Sequence, residues 1–239
     1  MLILFTDFGV RGPYVGEMKI VIESLVPGLP VIDLMHDAPR FNPRASAYLL
    51  AAMLEDLPGK CVVCGVVDPG VGSDRLPVVY RCDQRWFVGP GNGLFEIAAR
   101  RSRNCDRWQI TEAYDPPSAS FHGRDIFAPI AARLAVGDTV EMVGLESEAA
   151  VEWPDDLTEV IYIDDFGNAM TGIRAERVEV ETSLAINGRP LFKARTFSDL
   201  PPGVPFWYEN SLGLVEIAVN QGNATSLLGL EIGTPVAGF

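Results

Sequence analysis

Short apolar runs that end in polar turn residues dominate the first two thirds of the chain. The run Cys-Val-Val-Cys-Gly-Val-Val at residues 61–67 is followed at once by Asp68, Pro69 and Gly70. An apolar run of this length, bounded by turn residues, is typical of a strand that is buried on both faces of a parallel sheet. Ligands bind beyond the carboxyl ends of such strands. Asp68 therefore stands where either a turn-capping residue or a ligand-binding carboxylate is expected.

Further apolar runs alternate with segments of helical spacing up to about residue 135. Residues 14–25 place apolar side chains at helical intervals, and the Ala- and Leu-rich residues 43–57 carry a proline near the first turn. The predicted strands are residues 1–5, 31–34, 61–67, 77–80, 86–88 and 108–110, and the predicted helices are residues 14–25, 43–57, 94–101 and 126–135. This alternation predicts an α/β domain with a mostly parallel sheet over residues 1–152.

The hydrophobic pattern changes after about Glu148. Helical spacing disappears, and short apolar runs are separated by turn residues such as Asn187-Gly188. The predicted strands are residues 159–163, 178–181, 184–186, 206–209, 214–219 and 226–230. We expect a small all-β domain, a barrel, over residues 158–239.

Composition narrows the classes of function. The chain has 239 residues, of which 48% are hydrophobic, and a formal net charge of −13. The hydrophobic content excludes disorder, and the negative charge disfavours nucleic acid as a partner. No apolar run is long enough to span a membrane, and no basic segment with an apolar core opens the chain, so we expect a soluble, cytoplasmic protein.

The four cysteines do not indicate a metal or redox centre. Cys61 and Cys64 lie within one apolar strand, and their odd spacing places the side chains on opposite faces. They are expected to be buried thiols that pack as small apolar groups, while Cys82 and Cys105 carry no signal.

Polar residues at the ends of the predicted strands are the candidates for chemistry. His122 lies at a predicted helix start, where it is either a cap or a neutral acid/base group. Arg75 is either a surface partner of Asp74 or a partner of Asp68 and His122. A set of strand-end carboxylates and histidines could also bind a divalent ion. The chain lacks a recognised metal-ligand spacing, so we expect no metal.

Eight motifs in order resemble the S-adenosylmethionine hydroxide adenosyltransferases, which are relatives of the fluorinase and chlorinase. The motifs are Leu4-Phe-Thr-Asp-Phe-Gly9, Tyr14-Val-Gly-Glu-Met-Lys19, Asp33-Leu-x-His36, Val67-Asp-Pro-Gly-Val-Gly72, Gly89-Pro-x-Asn-Gly93, Phe121-His-Gly-Arg-Asp-Ile-Phe127, Asp164-x-Phe-Gly-Asn168 and Gly222-Asn-Ala224. The resemblance implies a three-layer α/β domain followed by a β-barrel. It also implies a homotrimer whose sites lie between the α/β domain of one subunit and the barrel of the next.

The resemblance further implies that water or hydroxide displaces L-methionine from the ribose C5′ of S-adenosyl-L-methionine and leaves adenosine, with no cofactor. The catalytic residues would be Asp68, Arg75 and His122, with Asp7 on the ribose hydroxyls and Phe8 packing nearby. In the second domain Asp164 would meet the methionine ammonium, and Phe166 and Asn168 would line the adenine. The remaining binding residues would be Tyr208, Asn210 and Ser211 at the methionyl end, and Asn223 and Ala224 at the adenine edge.

The sequence also departs from this pattern. Leu212 stands where the halide-using relatives carry an arginine, which leaves the methionine carboxylate without an assigned partner, and Thr171-Gly-Ile replaces the more usual Thr-Asn-Ile. The inserted loop of the halide enzymes is missing, and this absence, with Arg75 and His122 present, favours water over halide as the nucleophile. A halide-dependent adenosyltransferase and a nucleoside-binding sensor with negligible turnover are the alternatives.

Overall fold

The computed structural model describes residues 1–112, 117–145, 151–179 and 182–239. The chain divides into two compact units, Met1–Glu152 and Trp153–Phe239. Each unit has its own hydrophobic core.

The first unit alternates strands and helices. Its strands are β1 (Leu2–Thr6), β2 (Val31–Met35), β3 (Val62–Val66), β4 (Pro77–Cys82), β5 (Arg85–Pro90), β6 (Cys105–Ile110) and β7 (Met142–Gly144), and its α-helices are α1 (Tyr14–Leu25), α2 (Pro43–Met53), α3 (Glu96–Arg101) and α4 (Ala128–Val136). The helix predicted over residues 14–25 is confirmed, and β3 is buried along its whole length, as its apolar run predicted. The helix predicted over residues 43–57 ends earlier, at Met53.

The seven strands form one sheet in the order β2-β1-β3-β5-β4-β6-β7. The pairs β1–β2, β1–β3 and β3–β5 are parallel, whereas β4–β5, β4–β6 and β6–β7 are antiparallel. The prediction of a mostly parallel sheet is therefore corrected to a mixed sheet. The reason is the hairpin of β4 and β5, which turns at Asp83 with a φ of 55° and adds an antiparallel half to the sheet.

Helices cover both faces of this sheet. Along β1, Leu2 and Leu4 pack in a core with residues of α1 and α4, whereas Ile3 and Phe5 pack in a second core with residues of α2 and α3. Because neighbouring side chains of a strand point to opposite faces, the two cores lie on opposite sides of the sheet. The parallel pairing of β1 with β3 places the carboxyl ends of these two strands side by side.

The second unit is built mainly from strands. They are β8 (Leu157–Ile163), β9 (Ala169–Arg174), β10 (Ala185–Ile186), β11 (Arg189–Pro190), β12 (Phe192–Lys193), β13 (Pro205–Glu209), β14 (Leu214–Val219) and β15 (Val236–Ala237). They form a five-stranded sheet, β12-β13-β14-β9-β8, and a three-stranded sheet, β11-β10-β15. Over the described residues these sheets do not close into the barrel that we predicted.

Two of the predicted strands in this unit need correction. Residues 226–230 do not form a strand, because Asn223 caps a short helix, α5 (Ala224–Leu228), by accepting a hydrogen bond from the Ser226 amide at 2.7 Å. Of the strand predicted over residues 178–181, Val178 follows a 3₁₀ turn and residues 180–181 lie outside the described residues.

The cysteines fall into two classes. Cys61 and Cys64 are free and buried, as expected, and burial raises the pKa of the Cys64 thiol to about 12. A disulfide joins Cys82 to Cys105, which face each other across β4 and β6. Among the helices described, none combines the length and the apolar character that crossing a membrane requires.

Candidate active site

Two predicted carboxylates follow neighbouring strands of the first unit. Asp7 comes directly after β1, and its amide donates a hydrogen bond to the Val66 carbonyl at the end of β3, at 3.3 Å. Burial raises the pKa of the Asp7 carboxyl, and the negative charge of Asp68 adds to this. The Phe41 amide, which donates to Asp7 Oδ2 at 3.0 Å, acts in the opposite direction.

Asp68 and Arg75 form a buried ion pair. Arg75 Nε donates to Asp68 Oδ1 at 2.9 Å and to Oδ2 at 3.0 Å, and Nη2 also donates to Oδ2. The Arg75 side chain is 9% exposed and that of Asp68 5%. The guanidinium also lies over the Phe127 ring, with Cζ 5.1 Å from the centroid. The alternative in which Arg75 is a surface partner of Asp74 is therefore wrong.

His122 completes a hydrogen-bonded group of three. Its Nδ1 lies 2.8 Å from Arg75 Nη2. A guanidinium has no acceptor, so Nδ1 must accept this bond, and the neutral imidazole carries its proton on Nε2. Burial lowers the pKa of His122, and the charge of Arg75 lowers it further. The neutral ring is thus the favoured form near pH 7.

A close backbone approach brings these three residues together. Gly72, in the loop between Asp68 and Arg75, has a φ of 80°, and a Cβ there would lie 2.6 Å from the carbonyl oxygen of Ala119. Only glycine fits such a contact with this dihedral angle. The loop therefore packs directly on the segment that precedes His122.

His122 is not a helix cap in this structure. It precedes a π-helical turn, Gly123–Phe127, that leads into α4, and its side chain makes no capping hydrogen bond. π-Helical turns are rare and occur often at functional sites. The structure thus removes the capping interpretation and leaves His122 as a neutral ring at the candidate site.

The pKa of His122 predicts how activity and stability change with pH. The folded protein holds the pKa of His122 below the unfolded value of about 6.5. At pH values between these two pKa values, the unfolded chain binds more protons than the folded protein. The contribution of neutral His122 to stability is present above about pH 6.5 and is lost as the pH falls through the lower, folded pKa. We therefore expect kcat/KM to fall as the pH is lowered, with a midpoint below pH 6.5. A profile of kcat/KM against pH measures this transition. In His122→Gln this transition should be absent, and its persistence would assign the transition to another group.

A cavity of about 410 Å³ opens beside the triad. Asp68 and His122 line it, together with the aromatic side chains of Phe8, Tyr14 and Phe121, whose ring centroids lie 5.3–5.9 Å apart. Arg75 is not among the lining residues. A ligand in this cavity would touch Asp68 and His122, while Arg75 would act from behind them.

The glycine-rich turn at residues 89–93 supports the central strand. Asn92 Nδ2 donates to the Val67 carbonyl at 2.8 Å, immediately before Asp68. A Cβ at Gly89 would lie 2.2 Å from the Gly65 carbonyl oxygen, so this glycine allows β3 and β5 to approach. These contacts assign the turn a structural role.

His36, one of the strand-end residues considered as metal ligands, belongs to a different contact network. Its Nδ1 lies 2.9 Å from Thr6 Oγ1, and its Nε2 lies 3.0 Å from Asp33 Oδ1 without hydrogen-bonding alignment. Lys19 donates to the other oxygen of Asp33 at 2.6 Å, and this contact helps to lower the pKa of that carboxyl. Within the described ranges, no three His, Cys, Asp or Glu side chains are grouped as a metal site.

The second unit contains a larger cavity, of about 830 Å³, that collects six of its eight predicted residues. They are Asp164, Phe166, Asn168, Tyr208, Asn210 and Ser211. Asp164 Oδ1 accepts from the amides of Phe166 and Asn168 at 2.9 and 2.8 Å, and Oδ2 accepts from the Asn168 side chain at 2.9 Å. The carboxylate therefore shapes the turn that presents Phe166, a residue that is 79% exposed.

The two remaining predicted residues lie beside this turn without lining the cavity. The carbonyl of Gly167 accepts hydrogen bonds from the Thr225 amide and hydroxyl, both at 3.0 Å. A Cβ at Gly167 would lie 2.0 Å from Asn223 Nδ2. Asn223 Oδ1 caps α5, and Ala224 is fully buried. The turn at Asp164 and the start of α5 are thus one packed feature.

Glu216 also lines this cavity, and the sequence interpretation did not include it. It is 3% exposed, and its oxygens accept from Tyr208 Oη at 2.5 Å and Asn210 Nδ2 at 2.8 Å. Burial and the bond to Glu216 raise the pKa of Tyr208. The available signal was a single acidic residue within the otherwise apolar strand Leu-Val-Glu-Ile-Ala-Val.

Comparison with known protein families finds a match to each unit. Residues 2–144 match the model described as the SAM hydroxide adenosyltransferase N-terminal domain, and residues 158–237 match that of the C-terminal domain.

Named relatives cover nearly the whole chain. A Thermus thermophilus protein named (R)-S-adenosyl-L-methionine hydrolase is 41% identical, with 97% of this chain and 96% of the relative covered. A Salinispora arenicola protein of the same name is 37% identical, with 95% and 93% covered. A fluorinase of Actinopolyspora mzabensis is 22% identical, with 99% and 96% covered.

Solved structures share the fold. A crystal structure of an uncharacterized conserved protein from Thermotoga maritima superimposes with a TM-score of 0.88 at 30% identity, covering 99% of this chain and 98% of that chain. A conserved hypothetical protein from Thermus thermophilus superimposes with a TM-score of 0.78 at 38% identity, covering 98% and 97%.

Proposed function

The chain belongs to the SAM hydroxide adenosyltransferase family, and on this basis we propose that it hydrolyses (R)-S-adenosyl-L-methionine to adenosine and L-methionine. The observation that carries the proposal is the hydrogen-bonded group of Asp68, Arg75 and His122 at the end of β3. The names of the relatives support the substrate and its sulfonium configuration.

The reaction is a substitution at the ribose C5′. The water oxygen bonds to C5′ while the C5′–S bond breaks, and the bonding electron pair remains on sulfur as the thioether of methionine. The sulfonium is a good leaving group and needs no protonation. The protein must therefore align the water opposite sulfur and take up one proton.

The alignment of the water and the uptake of its proton are assigned to different residues of the triad. Arg75 holds both Asp68 and His122, and its bond to Nδ1 leaves the proton of His122 on Nε2. We propose that His122 donates a hydrogen bond that orients the water and that Asp68 accepts its proton. Arg75, behind both, positions the Asp68 carboxylate and fixes the imidazole.

The ribose site is proposed at Asp7, because an ionised carboxylate can accept hydrogen bonds from both hydroxyls of a cis-diol. Asp7→Asn should raise KM about 10–100-fold, the value of one or two charge-assisted hydrogen bonds, with a smaller change in kcat. Steady-state kinetics measure both parameters. Asp37→Asn, an exposed carboxylate that follows β2, is the control. Equal KM values for Asp7→Asn and the wild type would remove Asp7 from the ribose site.

Incubation with S-adenosyl-L-methionine in halide-free H₂¹⁸O tests the function. We expect equal amounts of adenosine and methionine, beyond one per subunit, with ¹⁸O at the 5′ position of adenosine. No product, with adenosine released only on denaturation, would contradict hydrolysis and favour a nucleoside-binding protein. A 5′-chloro nucleoside formed with added chloride would favour the halide-dependent alternative.

We propose a homotrimer that shares its substrate sites between subunits, located in the cytoplasm and without a cofactor. The second unit would contribute Asp164, Phe166, Asn168, Tyr208, Asn210, Ser211, Asn223 and Ala224. Light scattering of the full chain measures the assembly.

A further inference from the structure

The cavity of the second unit has the composition of a cation site. Two carboxylates, Asp164 and Glu216, line it together with the rings of Phe166, Phe197 and Tyr208. None of the described residues that line it is Lys or Arg. Carboxylates attract a cation by charge, and aromatic faces attract it through their quadrupoles.

Glu216 is the deeper of the two acids, and its oxygens already have hydrogen-bond partners. Tyr208 donates to Oε1 at 2.5 Å and Asn210 donates to Oε2 at 2.8 Å, and the residue is 3% exposed. Both donors are neutral, so they satisfy the oxygens without cancelling the charge. Because only 3% of the residue is exposed, a ligand's donors have little access to the remaining lone pairs, and what Glu216 chiefly offers a ligand is its negative charge.

This property matches a sulfonium better than an ammonium. An ammonium carries three N–H donors and prefers acceptors with open lone pairs. A trialkyl sulfonium donates no hydrogen bond and is attracted only by charge and by polarisable surfaces. A buried carboxylate that already accepts a hydrogen bond on each oxygen, beside aromatic rings, therefore suits a cation without donors.

We propose that Glu216 is a specificity-determining residue that selects the sulfonium of the substrate over a neutral thioether. The inference rests on the proposed function, because it takes S-adenosyl-L-methionine as the substrate. Tyr208 and Asn210 hold the carboxylate in place, and its charge favours the ligand in which sulfur is positive.

The proposal predicts an effect on binding rather than on turnover. The positive charge on sulfur decreases as the C5′–S bond breaks, so its attraction to Glu216 is stronger in the bound substrate than in the transition state. An interaction of this kind lowers KM and does not raise kcat. Removing the charge should therefore weaken substrate binding and leave kcat unchanged or higher.

The test compares Glu216→Gln with the wild-type full chain. KM and kcat are measured for S-adenosyl-L-methionine, and the inhibition constant Ki is measured for S-adenosyl-L-homocysteine, its neutral thioether. We expect E216Q to raise KM about 10–100-fold, to change Ki less than about threefold, and not to lower kcat. Glu209→Gln, an exposed glutamate of β13 outside this cavity, should match the wild type.

Several outcomes would overturn the proposal. An unchanged KM, or an equal rise in KM and Ki, would show that Glu216 does not distinguish sulfonium from thioether. Glu216→Asp keeps the charge and shortens the side chain, so it should keep the ratio of Ki to KM even if E216Q fails to fold. Loss of that ratio in E216D would contradict a charge-based role.

The failure of this proposal is distinguishable from failure of the proposed function. If the wild type forms no adenosine, the function fails. If the wild type turns over normally and E216Q keeps its preference for the sulfonium, only the role of Glu216 fails.

Discussion

Arg75→Met is expected to lower kcat for adenosine formation by about 10²–10⁴-fold, the usual contribution of a positioned acid/base group. The substitution removes the cation that pairs with Asp68 and the donor that fixes His122. Asp68 then becomes a buried carboxylate without its charge partner, and the imidazole is free to change tautomer. Single-turnover kinetics with product analysis by liquid chromatography measure the loss.

Stability must be measured in the same variant. Breaking a buried ion pair by removing one partner costs about 3–5 kcal/mol, so urea unfolding should show a reduced free energy of unfolding. Arg81→Met is the matched control, because Arg81 also stacks on an aromatic ring, Trp86, but is exposed on β4. A folded Arg75→Met protein with the kcat of the wild type would remove Arg75 from the mechanism.

Asp68→Asn is expected to lower kcat by about 10²–10⁴-fold as well, and to reduce stability because the buried Arg75 loses its charge partner. The amide has nearly the same shape, but it carries no charge and cannot take up the proton of the attacking water. In the neutral His122 ring, Nδ1 is occupied by Arg75 and Nε2 already carries a proton, which leaves Asp68 as the acceptor. The loss should appear in kcat more than in KM.

Asp74→Asn provides the matched control for this substitution. Asp74 lies in the same loop, is exposed, and should keep its activity after the change. If Asp68→Asn kept the wild-type kcat while His122→Gln abolished turnover, the proton acceptor would be His122 and the tautomer argued above would be wrong.

The local pattern of the sequence was sufficient to predict an element where its formation depends on the residues of that segment alone. Helix α1 and the buried strand β3 follow directly from apolar spacing. The local pattern was not sufficient to predict the sheet, because no local signal indicates that β5 pairs parallel to β3 and that β4 pairs antiparallel to β6. The short helix α5 was missed because Ala-Thr-Ser-Leu-Leu suits either element, and the Asn223 cap decides between them.

The same division holds for the candidate sites. The order and spacing of eight motifs, read by themselves, identified the family and therefore Asp68, Arg75 and His122 as candidates. Only the tertiary structure decided that Arg75 lies behind the other two, that Nδ1 of His122 is an acceptor, and that Glu216 lies in a cavity with Asp164. The reason is physical: hydrogen-bond direction, burial and the charge around a cavity depend on groups far apart in the chain, which only folding brings within reach.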